Sequence, residues 1–182
     1  MLYVFKNKSL TMGGLLSLVG ILAFGLFLLI FLLLKSPAST GVSDEIKSIT
    51  QAIRKHYQKQ IDYRGLNTAS AIKENIIPLQ MIRSNKVFSK NSSEILIGSD
   101  IEGNIISPFV NTFSVVYKNL NKQKCQNVLL TTFDETSGLL SITVSNKEIY
   151  EFTYGGDMTL PISKEAAKKY CTVKNDVMFT FE

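Results

Sequence analysis

Residues 10–34 read LTMGGLLSLVGILAFGLFLLIFLLL and contain no charged side chain. A helix of this length extends about 37 Å, enough to cross a hydrocarbon core of about 30 Å with some tilt. A helix that is apolar on every side is either a membrane span or the buried helix of a large protein, and a chain of 182 residues is too short for the second. The stretch therefore predicts a transmembrane helix over residues 10–35, with the rest of the chain attached to it.

A cleaved secretory signal is the alternative interpretation of the same stretch. Signal peptides have an apolar region of about 7–15 residues followed by a small-x-small cleavage site, and this run is longer. The nearest cluster of small residues is SPAS, residues 36–39, beyond the end of the run. The composition favours an uncleaved anchor and leaves cleavage as the second hypothesis.

The flanking charges predict how the helix is oriented. Lys6 and Lys8 precede the run without any acid, whereas only Lys35 lies between the run and Asp44. By the positive-inside rule, residues 1–9 stay in the cytoplasm and residues 43–182 are exported as one domain of ordinary size.

Cys125 and Cys171 are the two cysteines of the chain. An exported domain lies where disulfides persist, so the pair predicts one bond. That bond would close a loop of about 46 residues and contribute about 4 kcal/mol in the chain-entropy model. Two separate buried thiols are the alternative.

The segment after the anchor predicts a hinge and then an amphipathic helix. SPASTGV, residues 36–42, contains Pro, Gly and small hydroxyl residues that interrupt a helix. Ser43 is a candidate N-cap for a helix over residues 43–60, with Asp44 and Glu45 in the first turn, where the helix dipole favours acids. The apolar residues recur at helical spacing: Ile46, Ile49, Ile53 and Tyr57.

The remaining sequence predicts short helices and an antiparallel sheet. Residues 81–100 are mostly polar, so we expect them to be irregular. Asn146 lies in the three-residue loop of a predicted hairpin and is expected to adopt the left-handed conformation. The predicted helices cover residues 68–74, 123–131 and 164–170, the last capped by Ser163, and the predicted strands cover residues 112–117, 139–144, 148–154 and 177–181. The fold class is therefore α+β, a long N-terminal helix packed on an antiparallel sheet.

The titratable residues do not form a catalytic pattern. His56, the single histidine, lies on the amphipathic helix, and the chain contains no nucleophile motif such as G-x-S-x-G. We interpret His56 as a solvated helix residue and predict that the protein is not an enzyme. The lysines are spread along the chain, so we expect no nucleic-acid groove.

Other polar clusters are interpreted as surface. The acids near residues 100 and 134 (Asp100, Glu102, Asp134 and Glu135) lack the ligand spacing of a calcium loop, and Gly155-Gly156 lacks the context of a phosphate-binding loop. We therefore predict no metal and no cofactor. Four lysines form a small patch that reads as a solvated helix face, with DNA or acidic lipid as the alternative partner: Lys164, Lys168, Lys169 and Lys174.

Three segments in order resemble type IV pilins, and specifically the type IVb class. YRGLNTASAIKENIIPLQMI, residues 63–82, is similar to the Tyr-x-Gly-Leu-Thr…Ala-Ile…Pro-x-x-Met segment of that class. TFSVVYKNLNKQKCQNVL, residues 112–129, is similar to its Phe-x-Ile-x-Tyr-x-Asn-Val-Pro…Cys…Leu segment. The tail resembles its Ala…Cys…Asn…strand ending: Ala166-Ala167, Cys171, Asn175 and Phe179.

The N-terminus resembles the family with departures. The family has a basic leader ending in Gly, then Met or Phe, Thr-Leu-Leu-Glu and a long apolar helix. The alignment places processing between Ser9 and Leu10, with Ser9 in place of the usual Gly and Gly14 in place of the acid. In a filament that acid is thought to neutralise the N-terminal amine of a neighbour, and a buried charge left unpaired costs several kcal/mol.

The resemblance implies a structural role in a bacterial envelope. It implies a single-pass inner-membrane protein with a periplasmic domain, which reaches the cell surface when assembled into a pilus. Its partners would be other pilin subunits, the inner membrane, the pilus assembly machinery and a prepilin peptidase. The segment between the two cysteines would carry subunit or receptor contacts, in adhesion, secretion or conjugation.

The missing acid points to a minor or tip pilin; the alternative is an anchored scaffold or binding domain that does not polymerise. Small residues would allow close helix packing: Gly13, Gly14, Gly20 and Gly25.

Overall fold

The computed structural model describes residues 40–99, 111–133 and 135–182. The chain divides into two compact units, Met1–Pro37 and Ala38–Glu182. The first unit lies outside the described residues, and so do the predicted transmembrane helix and the leader-like segment.

Four α-helices and seven strands follow one another in the described residues. The helices are α1 (Thr40–Tyr57), α2 (Thr68–Lys73), α3 (Lys122–Leu129) and α4 (Lys164–Tyr170), with 3-10 turns at Leu79–Met81 and Glu135–Ser137. The strands are β1 (Ile82–Arg83), β2 (Lys86–Phe88), β3 (Glu94–Gly98), β4 (Phe113–Leu120), β5 (Leu139–Ser145), β6 (Ile149–Thr153) and β7 (Asn175–Phe181).

Helix α1 begins earlier than its sequence suggested. Thr40 is already helical, so the last three residues of the predicted hinge, 36–42, belong to the helix. Ser43 is therefore not an N-cap, and its hydroxyl donates a hydrogen bond to the carbonyl of Thr132 instead. The reason is packing, because Val42 is buried in the core and holds the first turn in place. Glu45 is accordingly not a first-turn acid.

The strands form one antiparallel sheet in the order β1-β2-β3-β4-β7-β5-β6. The last described strand, β7, pairs with β4 on one side and with β5 on the other. The sheet is therefore continuous only after β7 has inserted between these two strands. This arrangement confirms the α+β class and the antiparallel sheet.

The expectation that residues 81–100 are irregular was wrong. They form β1, β2 and β3, and β1 and β2 are joined by a tight turn in which Ser84 and Asn85 have φ of 49° and 59°. In β3, Ile95 and Ile97 alternate with less buried residues and point to the core. The alternation of Ile95, Leu96 and Ile97 covers only three residues and is flanked by polar residues, so the sequence did not indicate a strand here.

The predicted β5–β6 hairpin is confirmed, but Asn146 stabilises its loop differently from the prediction. It is not among the described residues with positive φ. Its Oδ1 instead accepts hydrogen bonds from the backbone N–H groups of Lys147 and Glu148, at 2.6 and 3.2 Å. Together with the backbone hydrogen bond from the N–H of Asn146 to the carbonyl of Glu148 at 3.0 Å, these bonds close the loop without a left-handed residue at position 146.

All four described helices pack on one face of the sheet. Each contributes to a single core cluster through residues such as Ile49 of α1, Ala71 of α2, Cys125 of α3 and Ala167 of α4. The described core draws only on residues 42–181, and the disulfide lies within that range. The described core and the disulfide thus both lie within the compact Ala38–Glu182 unit.

Candidate functional site

Helix α1 presents a polar face away from its buried stripe. Its core side chains bury against the sheet, as the helical spacing predicted. The opposite side exposes a set of small and charged residues: Gly41, Asp44, Ser48, Gln51 and Lys55. In the described part of the chain this side of α1 is therefore an exposed, polar surface.

A buried carboxylate ties α1 to the sheet. Glu45 is 5 % exposed, and its Oε1 accepts a hydrogen bond from the hydroxyl of Tyr117 at 2.7 Å. Its Oε2 accepts another from the backbone N–H of Lys90 at 2.8 Å. Burial, followed by the charge and the hydrogen bond of Glu45, raises the pKa of the Tyr117 phenol well above its usual value. A cavity of about 100 Å³ lies beside this group.

Cys125 and Cys171 form the predicted disulfide, with their Cα atoms 5.9 Å apart. The alternative of two separate thiols is therefore wrong. Cys125 lies within α3 and Cys171 directly follows α4, so the bond fastens two helices that pack on each other. Both residues are buried. Between them the chain forms the β5–β6 hairpin, which is thus held at the edge of the sheet.

The disulfide-bounded segment carries much of the exposed apolar surface. Among the described residues, six large apolar side chains are exposed. Leu140, Ile149 and Tyr154 lie between the two cysteines, and Val173 lies two residues beyond Cys171. By the strand register, Leu140 and Tyr154 lie at the open end of the β5–β6 hairpin and Ile149 lies next to its loop. Because three of the six exposed large apolar side chains lie on this segment, it is the candidate contact surface of the domain.

Asn175, quoted above for its resemblance, is a buried hydrogen-bonding centre. Its Nδ2 donates to the carbonyls of Leu120 and Thr172, at 3.0 and 2.9 Å. Its Oδ1 accepts from the backbone N–H of Thr172 at 2.7 Å and from Nδ2 of Asn146 at 3.4 Å. One side chain thus joins β4, the turn before β7 and the β5–β6 loop. The sequence pattern pointed to this residue without showing its partners.

The other polar residues singled out above lie at the surface. His56 Nε2 is 2.9 Å from Glu74 Oε2, next to an open cavity of about 530 Å³. Lys164, Lys168 and Lys169 are exposed on α4, which agrees with a solvated helix face. Within the described residues, no group of three or more His, Cys, Asp or Glu side chains is placed to hold a metal ion. Asp100, Glu102, Asp134 and the side chain of Glu135 lie outside the described residues.

The predicted N-terminal sites also lie outside the described residues: Ser9, Leu10, Gly13, Gly14, Gly20 and Gly25. In the part of the chain that the structure describes, no helix is both long enough and apolar enough to cross a bilayer.

Comparisons with known proteins agree with this geometry. A family model described as PilS N terminal matches residues 37–182. Among solved structures, TcpA, a type IV pilin from Vibrio cholerae El Tor biotype, superposes with a TM-score of 0.53 at 12 % identity, over 79 % of this chain and 98 % of that chain. A type IVb pilin from Salmonella typhi superposes with a TM-score of 0.50 at 15 % identity, over 78 % of this chain and 97 % of that one. No curated protein sequence matches the chain.

Proposed function

The chain belongs to the PilS N-terminal family and is a type IVb pilin-like protein, and on this premise we propose that it is a structural subunit of a type IVb pilus. We propose further that it is a minor or tip pilin, assembled through its apolar N-terminal helix. The main support for the proposal is the match of the family model to residues 37–182, which includes the whole Ala38–Glu182 unit. This family and fold are structural rather than catalytic.

The proposed assembly begins in the inner membrane. The apolar run at residues 10–34 would store the subunit there, with its N-terminus in the cytoplasm, until the assembly machinery transfers the helix into a bundle with its neighbours. The apolar surface passes from lipid to protein in that step, so tight packing of small residues contributes more than area burial. Gly13, Gly14, Gly20 and Gly25 are the proposed close-approach positions.

The minor or tip assignment rests on residue 14. Gly14 stands where the resemblance predicts an acid, so a neighbouring N-terminal amine would have no carboxylate partner in the filament core. A subunit at the filament tip has no further subunit above it, and a rare subunit has few identical neighbours. In both positions the cost of the unpaired charge is not repeated along the filament. This supports a place at the tip or at rare positions along the filament.

The disulfide-bounded segment is the proposed contact surface for other subunits or for a receptor. Its exposed side chains of Leu140, Ile149 and Tyr154 support this assignment. The disulfide holds this surface against the rest of the domain, and its presence supports a proposed location outside the cytoplasm.

The test is to recover the protein from cells that make the pilus. Pili sheared from the surface are probed for the chain, and the membrane-extracted protein is sequenced from its N-terminus. The proposal predicts that the chain is present in sheared pili and starts at Leu10 after cleavage by a prepilin peptidase. Ser9→Gly, which supplies the family's usual residue, should raise the processed fraction, whereas the matched change Ser17→Gly inside the apolar run should not.

Gly14 also supports a second candidate, a single-pass membrane protein whose pilin-like periplasmic domain is a scaffold or binding module and does not polymerise. Under this alternative the chain stays with the membrane fraction, begins at Met1 and is absent from sheared pili. The same two measurements therefore decide between the candidates.

A further inference from the structure

The outer face of the sheet, opposite α1, carries its own row of apolar side chains. Leu96, Val116 and Met178 lie side by side on β3, β4 and β7. Val116 is 5 % exposed, yet none of the three belongs to the core cluster or packs against it. The described helices bury their side chains in the core on the other face, so in the described part of the chain no helix covers this row.

Polar and charged residues complete the row at both ends. Lys86 on β2 lies beside Leu96, because Val87 pairs with Ile95 one residue along. At the other end, Thr143 on β5 is followed by Glu151 on β6. Across six strands the row reads Lys86, Leu96, Val116, Met178, Thr143 and Glu151.

A second row lies next to the first on the same face. It begins at Phe88 on β2, which pairs with Glu94 on β3, and it ends where Ser145 on β5 pairs with Ile149 on β6. In its centre Lys118 forms an ion pair with Asp176 across β4 and β7. The row reads Phe88, Glu94, Lys118, Asp176, Ser145 and Ile149.

The first row is complementary to itself when its order is reversed. A two-fold axis that runs parallel to the strands between β4 and β7, the central pair of these six, produces that reversal. It places Lys86 opposite Glu151 of a second copy, and Val116 opposite Met178 of that copy. Opposite charges thus meet at both ends of the contact and apolar side chains meet in the middle.

The second row obeys the same symmetry. The axis places Phe88 opposite Ile149 of the second copy, so two apolar side chains meet at the edge. It also places Lys118 opposite Asp176, which adds an intermolecular partner to each member of the existing ion pair. The remaining pairs bring no like charges together: Leu96 with Thr143, and Glu94 with Ser145.

We propose that the outer face docks a second copy of this chain and forms a closed two-fold dimer, with the two sheets stacked face to face. Stacked sheets keep their strands within about 30° of each other, which is compatible with an axis parallel to the strands. Five strand spacings make the face about 24 Å wide, so the contact falls in the small, weak class of interfaces. Such a contact gains strength where many copies are arrayed. The dimer goes beyond the proposed function, because it requires no residue of Met1–Pro37.

The test uses charge reversal in the Ala38–Glu182 unit, followed by sedimentation equilibrium at protein concentrations up to about 1 mM, as a weak interface requires. In a two-fold dimer Lys86→Glu brings two acids together at both ends, and Glu151→Lys brings two lysines together. Each single reversal should weaken dimerisation about tenfold or more. The double variant K86E/E151K should dimerise more strongly than either single reversal, because the intermolecular pair is exchanged. It should stay below the wild type, because Lys86→Glu also replaces the ion pair in which Lys86 Nζ lies 2.9 Å from Glu94 Oε1 of the same chain by a contact of two acids.

This gain of the double variant over the single reversals can only be intermolecular, since about 24 Å separates β2 from β6 in one chain. Met178→Lys should abolish dimerisation, whereas Lys73→Glu, an equal charge change on α2, should leave it unchanged. A monomeric wild type would mean that something other than a second copy covers the face, and would overturn the proposal. A double variant that dimerises no better than the single reversals, or an open series of larger oligomers as in edge-to-edge pairing, would also overturn it. Pilus assembly through residues 10–34 is tested separately and is not affected by either result.

Discussion

Arg54 on α1 donates two hydrogen bonds to the main-chain oxygen of Glu182, from Nε at 3.1 Å and from Nη2 at 2.7 Å. The guanidinium carbon lies 6.0 Å from the ring centroids of Phe113 and Phe181. The two hydrogen-bonded residues are 128 positions apart. One side chain thus fastens the first described helix to the end of the central strand β7.

We expect Arg54→Met to lower the free energy of unfolding by about 2 kcal/mol, since hydrogen bonds to charged groups contribute about 1.5–3 kcal/mol. Methionine keeps much of the aliphatic stem, so the loss reports on the guanidinium. Urea unfolding of the Ala38–Glu182 unit measures it, with Lys55→Met on the exposed side of α1 as control. Equal effects of the two variants would contradict the fastening role.

Gly138 lies directly under the same guanidinium. Its φ of +63° is left-handed, and an added Cβ would overlap Arg54 Nη2. Gly138→Ala should therefore destabilise the domain by about 1–3 kcal/mol, combining backbone strain with displacement of Arg54. In the background of Arg54→Met the steric part should vanish and only the strain should remain. Additive effects of the two changes would contradict the contact between them.

Tyr117 should make stability fall at high pH. Its pKa is raised in the folded state, so the folded protein binds more protons than the unfolded chain once the pH exceeds the ordinary phenol value of about 10. The contribution is complete below pH 10 and is lost as pH rises towards the folded pKa, at up to about 1.4 kcal/mol per pH unit.

Tyr117→Phe is the variant that isolates this effect. It should destabilise the domain by about 1–3 kcal/mol at pH 7, because Glu45 loses a hydrogen-bond donor while buried. It should also make the decline above pH 10 shallower. Tyr154→Phe, at a tyrosine that is 53 % exposed, is the matched control. If the free energy of unfolding fell equally steeply above pH 10 in the wild type and in Tyr117→Phe, Tyr117 would not be the group responsible for the decline.

Removal of the disulfide should destabilise the domain strongly. The bond spans 46 residues, and the chain-entropy model gives about 4 kcal/mol for a loop of that size. The double variant C125S/C171S, compared with the oxidised wild type by urea unfolding, measures the effect. Reduced wild type should match the double variant; if oxidation state left the unfolding midpoint unchanged, the stabilising role would be excluded.

Asn175→Asp should be destabilising by about 2–4 kcal/mol although the two side chains have the same shape. Aspartate has no N–H to donate, so the carbonyls of Leu120 and Thr172 lose their donor, and a charge is buried at a residue that is 1 % exposed. Asn91→Asp, the same change at an exposed residue, is the control and should leave stability nearly unchanged. Thermal unfolding of both variants at pH 7 decides the matter.

Local sequence patterns predicted the helices and strands that have one buried face. The spacing of Ile46, Ile49 and Ile53 predicted α1, and the alternation around Asn146 predicted the β5–β6 hairpin. The same reasoning failed for β1–β3, where each strand has at most five residues and polar neighbours hide the alternation. It also failed for Glu45, which local rules treat as a helix-terminal acid although its partner lies 72 residues away.

By itself, the sequence determined the apolar stripe of α1, the pair of cysteines and the ordered segments that resemble type IVb pilins, because periodicity and spacing are properties of neighbouring residues. Only the tertiary structure decided that β7 lies between β4 and β5, that the carboxylate of Glu45 accepts hydrogen bonds from Tyr117 and Lys90, and that two rows of side chains lie side by side on the outer face. Those features depend on strand register, and register is set when distant segments bury their apolar faces together.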